Sequence, residues 1–240
     1  MPRFFCEYFS DNPVISGPDG KHIARSLRMK AGEQLTVCDT KGTDYDCQIE
    51  KIEDDTVFLK ILSSKETLSE PTVKVTLFQC MPKGDKLDYV VQKAVELGVT
   101  EIVPVLSSRC VSRPDAKSYA KKRERLQKIA DEAAKQSGRG ICPKIHNMIS
   151  FNECCSKLCD YQKSIVFYEL GGEPLTRIID KDIKNVAVLI GSEGGFSVDE
   201  IDLSLKSGAV AATLGKRILR TETAPIAALT GIMLLSGNME

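Results

Sequence analysis

Tryptophan is absent from this chain of 240 residues, histidine occurs only as His22 and His146, and no two cysteines have C-x-x-C spacing. So few imidazoles and no paired thiols leave little from which to build a Cys/His metal site, and none is expected. The nine cysteines (Cys6, Cys38, Cys47, Cys80, Cys110, Cys142, Cys154, Cys155 and Cys159) are odd in number and set out no disulfide framework. Most fall in apolar runs and read as small buried hydrophobes in a reducing compartment. Net charge is also lacking: Lys+Arg and Asp+Glu both number 33, so bulk electrostatics selects no anionic partner. The longest apolar stretch, Ile226–Leu235, is interrupted by Thr230 and Gly231 and is too short to span a bilayer. Met1–Ser10 carries Arg3 and Glu7 and does not read as a secretory leader. The expected compartment is the cytosol, with no membrane partner.

Local charge is less even. Lys21, His22, Arg25, Arg28 and Lys30 form one basic cluster, and Lys117, Lys121, Lys122, Arg123, Arg125 and Lys128 form another. One such cluster is commonly a solvated helix face. Two on a neutral chain point towards a polyanion, because phosphate contacts depend on local rather than net potential.

The rhythm of the chain changes near residue 70. Gln34–Asp39, Asp44–Ile52 and Thr56–Leu62 are short β-branched runs separated by Lys41-Gly42 and Asp54-Asp55 turn signals, predicting a small antiparallel sheet or barrel. Ser63–Thr72 has little apolar content and includes Pro71, placing a boundary between domains at 1–69 and 73–240. From Val73 strands and helices alternate: Val73–Cys80, a helix through Leu87 to Leu97, Glu101–Leu106, a long helix Ala116–Ser137, then Ile165–Tyr168 and Val186–Ile190. That alternation predicts an α/β fold with a parallel sheet covered by helices.

Chemistry concentrates near the C-terminus. After Val186–Ile190 come Gly191-Ser192-Glu193-Gly194-Gly195-Phe196, then Ser197 and Glu200 at capping-box spacing. Open α/β sheets bind ligands where a glycine loop joins a strand's C-terminal end to a helix, because glycine lets the backbone approach the ligand. The loop has neither G-x-G-x-x-G nor a Lys-Ser/Thr ending, and Glu193 would repel a polyphosphate. An adenosine ligand bearing a sulfonium suits it better, although a plain strand-to-helix turn has the same pattern. A second loop follows the small-residue strand Ala209–Leu214: Gly215, Lys216-Arg217-Ile218-Leu219-Arg220-Thr221-Glu222-Thr223, then Ala224 and Pro225. Thr223 can cap a helix with Pro225 in its first turn. That helix, Ala224–Gly237, is apolar nearly all round and must be buried on several sides or against another subunit.

GSEGGFS at Gly191–Ser197 and LGKRILRTETA at Leu214–Ala224 resemble the small-subunit ribosomal RNA uridine-N3 methyltransferases of the RsmE family, in the SPOUT superfamily. The resemblance extends over the whole chain, through Pro2-Arg3-Phe4-Phe5, His22–Glu33, Lys93–Gly98 with Pro104, and Ala134–Arg139. Ser192 departs from it, standing where the family has proline, which should loosen the loop. The resemblance implies a small N-terminal PUA-like β-barrel that binds RNA and a SPOUT-type α/β domain with a deep C-terminal trefoil knot over 191–240. It implies S-adenosylmethionine held by Leu189, Ile190, Gly191, Glu193, Gly194, Gly195, Phe196, Leu214, Gly215, Ile218, Leu219, Thr223 and Ala224. The implied substrate is a uridine of 16S rRNA, within the 30S subunit, methylated at N3 by a homodimer formed through the knot region. Arg220 is the candidate for stabilising the uridine anion and Glu222 for accepting its proton. Arg3, Arg25, Arg28 and Arg139 are the candidate phosphate contacts. Three readings stay open beside this one: a related methyltransferase with another RNA target, a non-catalytic RNA-binding factor, and a nucleotide-dependent ligase or kinase.

Overall fold

The computed structural model describes residues 1–6 and 12–239, so Glu7, which argued against a secretory leader, lies outside the described residues. The chain forms two compact units: residues 1–70 with 134–142, and residues 71–133 with 143–240.

In the first unit, β1 (Arg3–Phe5) and β2 (Val14–Ile15) precede α1 (Gly17–Lys21), which continues as a wider π turn to Ser26. β3 (Gln34–Cys38), β4 (Thr43–Glu53) and β5 (Thr56–Glu66) complete a sheet of order β1-β3-β4-β5-β2. β1 runs parallel to β3, and the remaining pairs are antiparallel. Asp54 and Asp55 both have positive φ (46° and 64°), the left-handed pair that a two-residue hairpin needs to match the strand twist. Inward residues Cys47 and Ile49 of β4 and Val57 and Leu59 of β5 join Phe4, Ile23, Leu35 and Val37 in one core. Burial pushes the Cys47 thiol up to about 11, so it packs as an inert hydrophobe. The Cys6 thiol, just past β1, lies 4.0 Å from the Val14 carbonyl of β2, the strand at the other end of the sheet order.

Residues 134–142 belong to this unit, whereas the sequence pattern placed them with the second domain. Glu70 gathers them. Its carboxylate accepts from the Arg139 guanidinium (2.7 Å) and from the Gly140 and Ile141 amides (2.7 and 3.0 Å). Arg139 is only 3% exposed, so its charge is spent on Glu70 rather than offered to an RNA phosphate. That corrects its candidacy as a phosphate contact.

The second unit runs β6 (Lys74–Cys80), α2 (Lys86–Glu96), β7 (Glu101–Leu106), α3 (Ala116–Gln136), β8 (Lys144–Ile145), β9 (Ile149–Ser150), α4 (Phe151–Lys157), β10 (Lys163–Phe167), β11 (Glu173–Pro174), α5 (Leu175–Ile178), β12 (Asn185–Ile190), α6 (Val198–Lys206), β13 (Ala209–Thr213) and α7 (Ala224–Leu235). Its sheet has the order β11-β13-β10-β12-β6-β7-β8, with β9 also alongside β7, and every pair is parallel. Its strands are nearly continuous apolar runs, as expected of a sheet covered on both faces. From β6 the chain adds β7 on one side and later β12, β10 and β13 on the other. Such a reversal opens a crevice at the strands' C-terminal ends. No helix among the described residues is long and apolar enough to cross a membrane.

Replacing Arg139 by alanine leaves the half-buried Glu70 carboxylate without its cation, a change that costs about 3–5 kcal/mol for a buried pair. Urea unfolding should show a loss of that order; a loss under about 1 kcal/mol would make the pair ornamental.

Candidate active site

The chain leaves β12 at Ile190 and turns through 191–196. The Gly195 amide donates to the Ser192 carbonyl at 2.9 Å, closing the turn. Gly195 has φ +63°, and a Cβ there would lie 2.6 Å from a Glu169 carboxylate oxygen, so conformation and space both demand glycine. A Cβ at Gly194 would press on Arg109, whose guanidinium donates to the Gly194 carbonyl at 3.0 Å. Ser192, in the proline position of the resemblance, is buried, and its hydroxyl donates to the Arg109 carbonyl at 3.4 Å. This side-chain anchor offsets the rigidity a proline ring would have given.

Helix α6 starts from the loop's exit with its capping box formed. Ser197 Oγ accepts from the Glu200 amide (3.2 Å), and Glu200 Oε2 accepts from the Ser197 amide (2.9 Å). The second loop, 214–223, enters α7 differently from expectation. Thr223 already has helical φ and ψ and makes no side-chain cap; the Arg220 carbonyl accepts from both the Thr223 and Ala224 amides instead (2.8 and 2.9 Å). Pro225 does occupy the first turn.

A buried amide ties the loops together. Gln79, at the end of β6 and paired in register with Ile190, is fully buried. Its Nε2 donates to Thr221 Oγ1 (3.2 Å) and to the Gly191 carbonyl (3.4 Å), while Thr221 Oγ1 donates to that same carbonyl at 2.7 Å.

Both loops face one cavity of about 530 Å³, whose wall is residues 190–196, 212–221 and 224, with Lys86 and with 167–169 at the C-terminal end of β10. Of the residues expected to hold a donor, Ile190, Gly191, Glu193, Gly194, Gly195, Phe196, Leu214, Gly215, Ile218, Leu219 and Ala224 line it, and so does Arg220. Leu189 does not, being a core residue of β12 at 1% exposure, and Thr223 stands outside the wall. Glu222 is also off the wall. Its carboxylate pairs with Lys86 Nζ at 3.2 Å, a Coulombic contact in which Oε2 lacks an aligned hydrogen bond. The carboxylate expected to accept the uridine proton thus stands beside Lys86 instead of on the cavity wall.

The charges sort into held and free. Lys86 Nζ also meets Glu193 Oε1 at 3.0 Å, and the Lys83 amide donates to that oxygen at 3.1 Å. The Glu193 hydrogen bond, helped by the Glu222 contacts, raises the Lys86 pKa despite the opposing desolvation, so Lys86 stays a fixed cation. Desolvation pushes Glu193 up, but Lys86 and the backbone amides outweigh it and hold its carboxyl below the usual range. Lys216, Arg217 and Arg220, by contrast, have no ion pair among the described residues. In the first unit Arg3 pairs with Asp44 (2.8 Å) and Arg25 with Asp55, while Arg28 is exposed with no ion pair among the described residues.

Sequence reasoning missed Gln79, Lys86, Glu169 and Thr221. Gln79 had a signal: it is an amide inside the largely apolar run Val75–Cys80. Lys86 and Glu169 follow the C-terminal ends of β6 and β10, where a parallel sheet places ligand contacts.

Comparison with known proteins agrees with this geometry. A family model described as an RNA methyltransferase domain matches residues 69–233, and one described as an RNA methyltransferase PUA domain matches 15–62. The ribosomal RNA small subunit methyltransferase E of Bacillus subtilis (strain 168) is 35% identical, covering 97% of this chain and 96% of its own. That of Buchnera aphidicola subsp. Schizaphis graminum is 32% identical, covering 100% and 98%. The crystal structure of the Neisseria gonorrhoeae enzyme of that name, bound to S-adenosyl methionine, superposes with a TM-score of 0.85 at 34% identity, over 98% of each chain. A cavity built from two glycine-bearing loops at a parallel sheet's switch point, in a chain that also carries a PUA-type unit, places this protein in the ribosomal RNA small subunit methyltransferase E family.

Proposed function

We propose that this member of a family of S-adenosylmethionine-dependent rRNA methyltransferases methylates N3 of a uridine in the decoding region of 16S rRNA, in the cytoplasm, on RNA assembled within the 30S subunit. The observation that carries the reading is the division of one cavity wall into a glycine loop and a rim of cations without carboxylate partners among the described residues.

The wall suits the methyl donor. Its volume lies in the range of small-ligand sites, and Phe167, Phe196, Leu214 and Leu219 offer apolar surface for an adenine ring. Gly191 to Gly195 bare their backbone to it, and the carboxylates Glu169 and Glu193 suit a ligand carrying positive groups. Bound there, S-adenosylmethionine supplies an electrophilic methyl group. The chain's part is to fix the geometry of an in-line displacement and to stabilise the charge that appears when uridine N3 loses its proton. Arg220 lines the cavity and has no ion pair among the described residues, so its guanidinium is available to that anion. Lys216 and Arg217, exposed on the same loop, are placed for the flanking phosphates. A paired uridine would first have to leave its partner base, since N3 lies on the Watson–Crick edge.

A homodimer through 191–239, with that segment threaded as a trefoil knot, belongs to the same proposal. It is supported by α7, where half-exposed Ile226, Ala227 and Thr230 lead on one face to Leu234, 57% exposed. Leu234→Glu should convert a dimer to a monomer in sedimentation; a wild-type monomer would remove the dimer from the reading.

Arg220→Ala should lower single-turnover methylation of 30S subunits by about 10²–10³-fold, the range for losing one charge-stabilising group. Donor affinity by calorimetry should hold; an unchanged rate would make Arg220 structural. Reversing Lys216 and Arg217 to glutamate should flatten the salt dependence of rRNA binding, by about one unit of slope for each phosphate no longer neutralised. Arg28→Glu should do likewise, and Arg25→Glu less, because Asp55 already holds Arg25. An unaltered slope would exclude the substituted residues from the RNA.

A further inference from the structure

We propose that Glu169 is the carboxylate that reads the positive charge of the methyl donor and so distinguishes the sulfonium substrate from the neutral thioether product. The inference rests on the reading that the cavity binds S-adenosylmethionine.

Two carboxylates belong to the cavity wall, Glu169 and Glu193. Glu193 is engaged: Lys86 Nζ lies 3.0 Å from its Oε1, and the Lys83 amide donates to the same oxygen at 3.1 Å. Its charge is answered before any ligand enters. Glu169 has no ion pair among the described residues, although Lys216, Arg217 and Arg220 belong to the same wall. A cavity carboxylate with no ion pair among the described residues keeps its negative charge available to a positive group of a ligand.

Its placement is built in. Glu169 follows the C-terminal end of β10, which lies between β13 and β12, the strands that give rise to the two loops. Its carboxylate rests where the side chain of residue 195 would be, and a Cβ there would lie 2.6 Å from its Oε1. The glycine at 195 thus has two functions: it permits the φ of +63° and it vacates the place that Glu169 occupies.

S-Adenosylmethionine and S-adenosylhomocysteine share adenosine, ammonium and carboxylate, and differ by one methyl group and one positive charge. A carboxylate near the sulfur therefore favours the first over the second. Such a preference relieves inhibition by product, because the attraction disappears once the methyl has gone.

The experiment is calorimetric titration of both ligands into full-length wild type, Glu169→Gln and Glu169→Asp, with thermal unfolding of each ligand-free protein as a fold control. A charge pair about 4 Å apart near solvent gives an expected loss of about fivefold or more in S-adenosylmethionine affinity for Glu169→Gln. S-Adenosylhomocysteine affinity should change by less than twofold (about the scatter of such differences), and Glu169→Asp should restore most of the preference. Equal weakening of both ligands, or an unchanged ratio, overturns the assignment while leaving the donor site standing. Wild type that binds neither ligand overturns the donor site and this inference with it.

Discussion

The Gln79 amide is fully buried at the end of β6, where it donates to the Gly191 carbonyl and to the Thr221 hydroxyl. Sheet order explains why the site depends on this contact. β12 is the neighbour of β6, so Gly191 arrives beside Gln79 directly, but β13 lies beyond β10 and its loop must return across two strands. Thr221 ends that return, donating to the same Gly191 carbonyl at 2.7 Å. Each such bond adds only about 1 kcal/mol net, yet losing a partner strands a buried polar group at about 1–3 kcal/mol. Gln79 Oε1 already lacks a partner among the described residues. The amide orientation is fixed by its acceptors: the two Nε2 hydrogens share the Cys80 and Gly191 carbonyls and the Thr221 hydroxyl, none of which the amide oxygen could serve so well.

With the loops joined, electrostatics sets what the cavity accepts. Lys86 begins α2, outside both loops, and its ammonium bridges Glu193 of the first and Glu222 near the end of the second. A cation shared by two carboxylates leaves a net negative cluster near the first loop. The exposed 215–218 segment carries Lys216 and Arg217 with no carboxylate partner among the described residues. The cavity therefore presents surfaces of opposite sign, which in the proposed reading suit a positive donor and a polyanionic RNA without either displacing the other's counter-charge.

Much of this was legible in the sequence because it is local. The Ser197–Glu200 capping box, the Asp54-Asp55 turn and the strand Glu101–Leu106 all lie where short-range pattern put them, since each is determined by its own few residues. The glycine loop between β12 and α6 was legible for the same reason, and it lines a cavity. What pattern could not supply was the identity of partners distant in sequence. Arg139 has the look of a free cation, but Glu70, 69 positions away, holds it. Glu222 has the look of a base but stands beside Lys86, and Thr223 that of a cap, although the Arg220 carbonyl takes both amides. These differences share one cause: a charged or polar side chain is read by its type, while its role is set by a partner that only the fold brings near.

The same principle bears on the nucleotide-dependent reading left open by the sequence. A helix N-terminus following a glycine loop binds phosphate when its amides and its dipole are free to face an anion. At α6 that potential is already answered in part. Ser197 Oγ takes the Glu200 amide, and the Glu200 carboxylate, buried at 8% exposure, takes the Ser197 amide and, at 2.6 Å, the Ser108 amide. The helix's anion is thus supplied by the chain itself, and Glu193 adds a second negative charge in the loop that precedes it. A triphosphate would have to expel one carboxylate and approach another. An adenosine carrying a sulfonium meets neither obstacle, so the capping box that starts α6 weighs against the phosphate reading of this glycine loop and is compatible with the proposed donor site.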